Sequence, residues 1–302
     1  MSEVQFPHQY DSIHTKWPLF ICFLGSFRLY SRAQLIPLRN SAKIEVLLST
    51  LALHSERCLS RDTLLSFVWP NQDPLLAGQS LNSLLYSFRK QLNEALGGAQ
   101  PVLHNEGCYS LNFDAGINTD VRSFDVLTRW GHQQWQKTNY ADAVSYYHSA
   151  LRLYTGDLYS GTAGTDVFLV IERERLRVGY LTVLSRLAEY YYFQNENDVA
   201  LDFAQQILSS DPCREDAHRL MMRCYFRRGE RAQAIRQYQL CSQILRMEFD
   251  TIPEPATTKL YGQLVASPEA VRLTPGMIDS AWAPPGILVA DQALGSTEAV
   301  DS

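Results

Sequence analysis

The chain has 302 residues, 46% hydrophobic and 20% charged, with a net charge of −5; this allows about two globular domains and excludes a polycation or a disordered chain. No apolar run reaches the ~18 residues that a membrane span needs. Six cysteines (22, 58, 108, 213, 224, 241) form no C-x-x-C pair and no cysteine–histidine cluster at zinc spacing, so reduced, mostly buried thiols are expected, with no disulfide framework and no metal.

Residues 1–17 are polar and aperiodic and read as a flexible N-terminus. Lys16 followed by the apolar run 19–27 imitates a signal peptide, but it starts late, runs into Arg28 and Arg32 and has no small-residue cleavage site. Residues 19–38 instead predict short antiparallel strands, with turns near Gly25 and Ser31. A helix is predicted over 42–54, with Ile44, Leu47, Leu48 and Leu51 inward. Ser60 is placed to cap a second helix that Trp69-Pro70 ends. Residues 71–78 read as a loop, and a third helix is predicted over 79–96, with Leu81, Leu85, Phe88, Leu92 and Leu96 as its apolar stripe. Gly97-Gly98 stops it, and residues 102–113 predict a β-hairpin. Strands, three helices and a closing hairpin are the layout of a winged helix-turn-helix, in which the third helix reads DNA and the hairpin is the wing.

The boundary is expected at about 114–119, and from there to 265 the pattern is helical. Ala200 and Ala234, Tyr191 and Tyr225, and Ile207 and Cys241 each stand 34 residues apart. That period, with small and aromatic residues at fixed places in helix pairs, predicts tetratricopeptide-like repeats. An earlier unit over 135–154 carries Tyr140, Ala143, Tyr147 and Ala150, and three units suffice for a stable stack. Residues 266–302 hold four prolines and five acids against Arg272 alone and read as a disordered acidic tail. The domains expected are therefore 18–115 and 116–265, in a mainly α fold: an α+β winged helix, then an α-helical repeat domain.

The stretches LFICFLGSFRL (19–29), SRDTLLSFVWP (60–70), SLNSLLYSFRKQL (80–92), GCYSL (107–111), ALRLYTGDLYSG (150–161) and ERERL (172–176) give the chain a resemblance to the Streptomyces antibiotic regulatory protein group. In that group a winged-helix DNA-binding domain precedes a bacterial transcriptional activator domain. The resemblance covers roughly residues 19–265. It implies a bacterial, cytoplasmic transcriptional regulator that binds double-stranded promoter DNA, often as a homodimer, with the repeat domain meeting RNA polymerase or another protein. One departure stands out. The group's reading helix is richer in arginine, whereas here the segment is Tyr86-Ser87-Phe88-Arg89-Lys90, and residues 1–115 balance nine Lys/Arg with nine Asp/Glu. Phosphate contacts dominate DNA affinity and need cations.

The candidate DNA-binding residues are Asn82, Ser83, Tyr86, Ser87, Arg89 and Lys90 on the third helix and His104 and Asn105 on the wing. Arg89 and Lys90 either touch phosphates or cap a solvated helix end. The arginines at 223, 227, 228, 231 and 236 form either a nucleic-acid patch or a salt-bridged face, and 17 cations against 18 acids over 116–265 point to the latter. No nucleophile elbow, H-E-x-x-H, dinucleotide fingerprint or phosphate loop occurs, so neither an enzyme nor a cofactor is expected. The principal reading is a DNA-binding transcriptional regulator. The alternative is a protein-interaction adaptor with a vestigial winged helix, partnering a separate signalling ATPase.

Overall fold

The computed structural model describes residues 16–32, 34–37, 41–54, 59–159 and 167–266. The expected flexible start and acidic tail lie outside the described residues, apart from Lys16, Trp17 and Ala266. The elements run β1 (Leu19–Cys22), β2 (Arg28–Ser31), β3 (Gln34–Leu35), α1 (Ser41–Leu53), β4 (Leu59–Ser60), α2 (Arg61–Val68), α3 (Pro74–Leu92), β5 (Val102–Asn105), β6 (Cys108–Leu111) and β7 (Ile117–Thr119). Among the described residues seven helices follow: α4 (Asp120–Gln136), α5 (Tyr140–Leu153), α6 (Val167–Phe193), α7 (Asn197–Ser210), α8 (Glu215–Arg227), α9 (Arg231–Phe249) and α10 (Pro255–Ala266). Among the described residues the fold is mainly α, and every named strand precedes α4. No helix among the described residues is long and apolar enough to cross a membrane.

The described residues fall into two compact units, one drawn from 16–130 and 148–180 and the other from 131–147 and 181–266. In the first, one sheet has the order β3-β2-β1-β7. Its central strand β1 is antiparallel to β2 and parallel to β7. All six residues from Leu19 to Leu24 are buried, which is why the run shows no alternation: a strand covered on both faces has no polar side. Gly25 ends the run at φ +89, where an added Cβ would stand 2.6 Å from the Thr155 hydroxyl. Residues 155–159 lie along this strand end, with Leu24 bridging Leu158 and the Tyr159 N–H donating to the Phe23 carbonyl at 2.7 Å. β7 pairs with β1, so the start of α4 is carried with this sheet.

The second sheet, β4-β6-β5, holds the wing. β5 and β6 pair from Val102 with Leu111 to Asn105 with Cys108. Glu106 and Gly107 turn the hairpin with φ of 52 and 81, the left-handed pair that suits a two-residue turn between twisted strands. The core of this unit draws Leu47, Leu48 and Leu51 from α1, Leu64, Leu65 and Val68 from α2, and Leu81, Phe88 and Leu92 from α3. Four cysteines (22, 213, 224 and 241) are free, as expected. Cys108 is not: it is disulfide-bonded, which corrects the expectation of reduced thiols throughout.

In the second unit the 34-residue correspondence is one of packing. Ala200 and Ala234 are fully buried, as are Ile207 and Cys241, so each pair fills the same gap between helices. Tyr191 and Tyr225 both lie half-buried against these clusters, and Tyr191 stacks on Phe203 with centroids 5.7 Å apart. The buried small residues let neighbouring helices approach, and the aromatics fill the wedge.

Candidate nucleic-acid interface

α3 is built from its N-terminus. An Asp73 carboxylate oxygen accepts the N–H groups of Leu75 at 2.9 Å and Leu76 at 3.3 Å, and Pro74 occupies the first helical position. Aspartate is a preferred cap, and proline loses nothing where the N–H would be unpaired. The helix therefore opens at Pro74 rather than Gln79 and closes at Leu92 rather than Leu96. The Asp-Pro dipeptide was the signal for the earlier start. The buried side holds Ala77, Gly78, Leu81, Leu84, Phe88 and Leu92; Leu84 takes the place expected for Leu85, which is half-buried.

Asn82, Ser83, Tyr86, Ser87, Arg89 and Lys90 are all exposed. Tyr86 is 70% exposed, so it is no packing residue. Gln79, which is not among the predicted residues, is exposed as well. The serines are already committed as donors: Ser83 to the Gln79 carbonyl at 3.0 Å and Ser87 to the Leu84 carbonyl at 2.9 Å. Arg89 and Lys90 make no hydrogen bond or ion pair among the described residues. Lys43 differs, donating to the Val68 carbonyl at 2.6 Å. A groove of about 920 Å³ runs along one edge of α3, between Ser80, Ser83 and Ser87 and the residues Ala42, Lys43 and Trp69.

On the wing, His104 and Asn105 are exposed. His104 stands opposite Tyr109 and stacks on it, 4.2 Å between centroids at 18°. Tyr109 is buried, so it fixes the imidazole rather than meeting solvent. Among the described residues no group of three or more His, Cys, Asp or Glu could hold a metal ion.

The basic cluster of the second unit is otherwise engaged. Arg227 donates to the Tyr192 carbonyl at 2.7 Å and lies 3.8 Å over its ring. Arg228 pairs with Asp198 and with Glu230. Arg231 donates at 2.7 Å to the carbonyls of Leu264 and Val265, at the end of α10. Arg236 bonds Gln233 at 3.0 Å. Arg227, Arg228 and Arg231 thus reach neighbouring elements of this unit, while Arg236 bonds within α9.

Residues 119–265 match the family model of the bacterial transcriptional activator domain. The chain is 24% identical over 261 residues, 85% of its length, to the transcriptional regulatory protein MoaR1 of Mycobacterium tuberculosis, of which the match covers 83%. It is 24% identical over 255 residues to the transcriptional regulator RedD of Streptomyces coelicolor, covering 81% of this chain and 70% of RedD.

The chain is a transcriptional regulator that resembles the Streptomyces antibiotic regulatory protein type.

A regulator of this type is also similar to longer proteins. The match to the regulatory protein AfsR of Streptomyces coelicolor, 21% identical over 245 residues, covers 81% of this chain but 24% of AfsR. The fold is shared with Mycobacterium tuberculosis EmbR, solved in complex with a low-affinity phosphopeptide, at a TM-score of 0.70 and 18% identity. That likeness covers 82% of this chain and 65% of the EmbR chain.

Proposed function

We propose that this regulator binds double-stranded promoter DNA through residues 18–115, with α3 in the major groove and the β5–β6 hairpin against the backbone. The observation that carries the proposal is the exposed side of α3. Asn82, Ser83, Tyr86 and Ser87 project as a polar row, and Arg89 and Lys90 stand beside them with no partner among the described residues. Polar side chains reach base edges, while the free cations displace counterions from phosphates. His104, held by its stack on Tyr109, and Asn105 are the wing's contacts.

Two exposed cations on the reading helix of a neutral region give weak affinity, so the functional form is a homodimer on repeated sites. Residues 116–265 supply that contact and one to RNA polymerase or another protein. The work is recognition rather than catalysis, in the cytoplasm, with no cofactor. Gel retardation with DNA from upstream of the protein's own and neighbouring genes tests this. Arg89→Ala combined with Lys90→Ala is expected to weaken binding to all sequences and to flatten its salt dependence. No retardation even at low salt would remove the DNA reading and leave the adaptor.

A further inference from the structure

Gly78 lies in the first half of α3, buried although it has no side chain. The guanidinium of Arg61, the first residue of α2, occupies the space above it. A Cβ built on Gly78 would stand 3.3 Å from Arg61 Cζ and 3.5 Å from Nε, and closer still to Nη2. Arg61 is exposed and makes no hydrogen bond or ion pair among the described residues. Gly78, Asn82 and Arg89 are spaced four and seven residues apart, which at about 100° per residue puts them on one ridge of the helix. Arg61 therefore presents its charge in line with Asn82 and Arg89, one turn before Asn82, where α3 has no cation of its own.

We infer that Arg61, seated in the notch left by Gly78, is a phosphate-binding residue of the DNA interface and supplies from α2 the positive charge that α3 lacks. The inference rests on the proposed docking of α3 and adds a residue to it. Its ligand is a backbone phosphodiester, which a guanidinium engages with two parallel N–H donors. The neighbouring Asp62 carboxylate, also exposed, opposes it, so the contact depends on where the guanidinium sits and not on the net charge of the helix. Glycine at 78 has a reason here: alanine is the better helix former, yet its methyl would push the guanidinium off the ridge.

The test is fluorescence anisotropy of the full chain with upstream DNA and with a random-sequence duplex, each across a salt titration. Arg61→Ala is expected to weaken both on the order of tenfold and to reduce the slope of log K against log salt by about 0.9, one phosphate. Arg61→Lys keeps the slope. Gly78→Ala is expected to raise the melting temperature and weaken binding, and Arg61→Ala with Gly78→Ala together to bind no more weakly than Arg61→Ala alone. If Arg61→Ala binds with unchanged affinity and slope while the Arg89 and Lys90 double variant fails, the inference falls and the docking of α3 stands. Loss confined to a destabilised Arg61→Ala, with Gly78→Ala binding as wild type, also overturns it. Wild type that retains no duplex at low salt removes both.

Discussion

One carboxylate oxygen of Asp120 accepts the backbone N–H of Phe23 at 2.7 Å, across 97 residues of sequence. The same oxygen takes the Leu24 N–H at 2.8 Å, and the other takes that of Val121 at 2.8 Å. Asp120 is buried and opens α4 just where β7 leaves β1. Asp120→Ala strands buried donors at the end of β1, each worth about 1–3 kcal/mol once unpaired. A loss of roughly 3–5 kcal/mol is expected with more than one donor orphaned, read by urea denaturation. A variant within 1 kcal/mol of wild type would show that water replaces the tie.

Two helical glycines are expected to respond to alanine with opposite signs. A Cβ on Gly131 would meet the ring of Tyr147, 2.6 Å from Cδ1. That ring is fully buried, and its hydroxyl is bonded to His132 Nδ1 at 2.7 Å. Overpacking of that kind costs about 1–3 kcal/mol. Gly262 in α10 has nothing within 4 Å of an added Cβ, so Gly262→Ala should stabilise by about 0.5–1 kcal/mol through helix propensity. Thermal denaturation of the pair measures both.

His218 gives the protein a pH dependence. Its Nε2 bonds the Pro212 carbonyl at 2.9 Å and its Nδ1 bonds the Gln237 amide at 2.7 Å. The neutral ring satisfies both bonds, with Nε2–H as donor and Nδ1 as acceptor. Burial lowers its pKa, against the Pro212 bond and the nearby Glu215 and Asp216 carboxylates, which raise it. A histidine kept neutral in the fold contributes stability above its ordinary value of about 6.5, and this is lost as pH falls below it, at up to roughly 1.4 kcal/mol per pH unit. His218→Gln removes the titration. The difference in melting temperature between wild type and variant should therefore shrink as pH drops from neutral towards 5. A difference independent of pH would mean that the ring has the same pKa folded and unfolded.

The two faces of α3 separate stability from binding. Phe88 is fully buried and Tyr86 is 70% exposed, two residues earlier. Phe88→Ala should cost about 3–5 kcal/mol. Tyr86→Ala should stay within about 0.5 kcal/mol of wild type while altering the preference for upstream over random DNA. A Tyr86→Ala that binds both duplexes as wild type does would take Tyr86 out of the interface.

The order of elements was legible because local signals set it: Ser60 caps α2 through the Thr63 N–H, and the 34-residue spacing reappears as paired burial. What escaped is non-local or depends on a single hydrogen. Nothing in the pattern of residues 19–24 says that β1 pairs in parallel with β7, about a hundred residues on. The bond at Cys108 has no spacing to announce it. Arg61 reads as an ordinary first-turn residue until the structure lays it over Gly78. The start of α3 differs from the expectation for another reason: Asp73-Pro74 suits a loop and a helix opening equally well.

The serine hydroxyls of α3 bear on which letters this protein tolerates in its operator. Each has one hydrogen, and Ser83 and Ser87 have turned theirs inward to their own helix. What they offer outward is lone pairs, and a phosphate oxygen has nothing to give a lone pair. Adenine and cytosine do, through the amino groups they expose in the major groove. On the proposed docking, this plain-looking edge of the helix is therefore a discriminating one, and substitutions at adenine or cytosine should be felt there before changes at guanine or thymine.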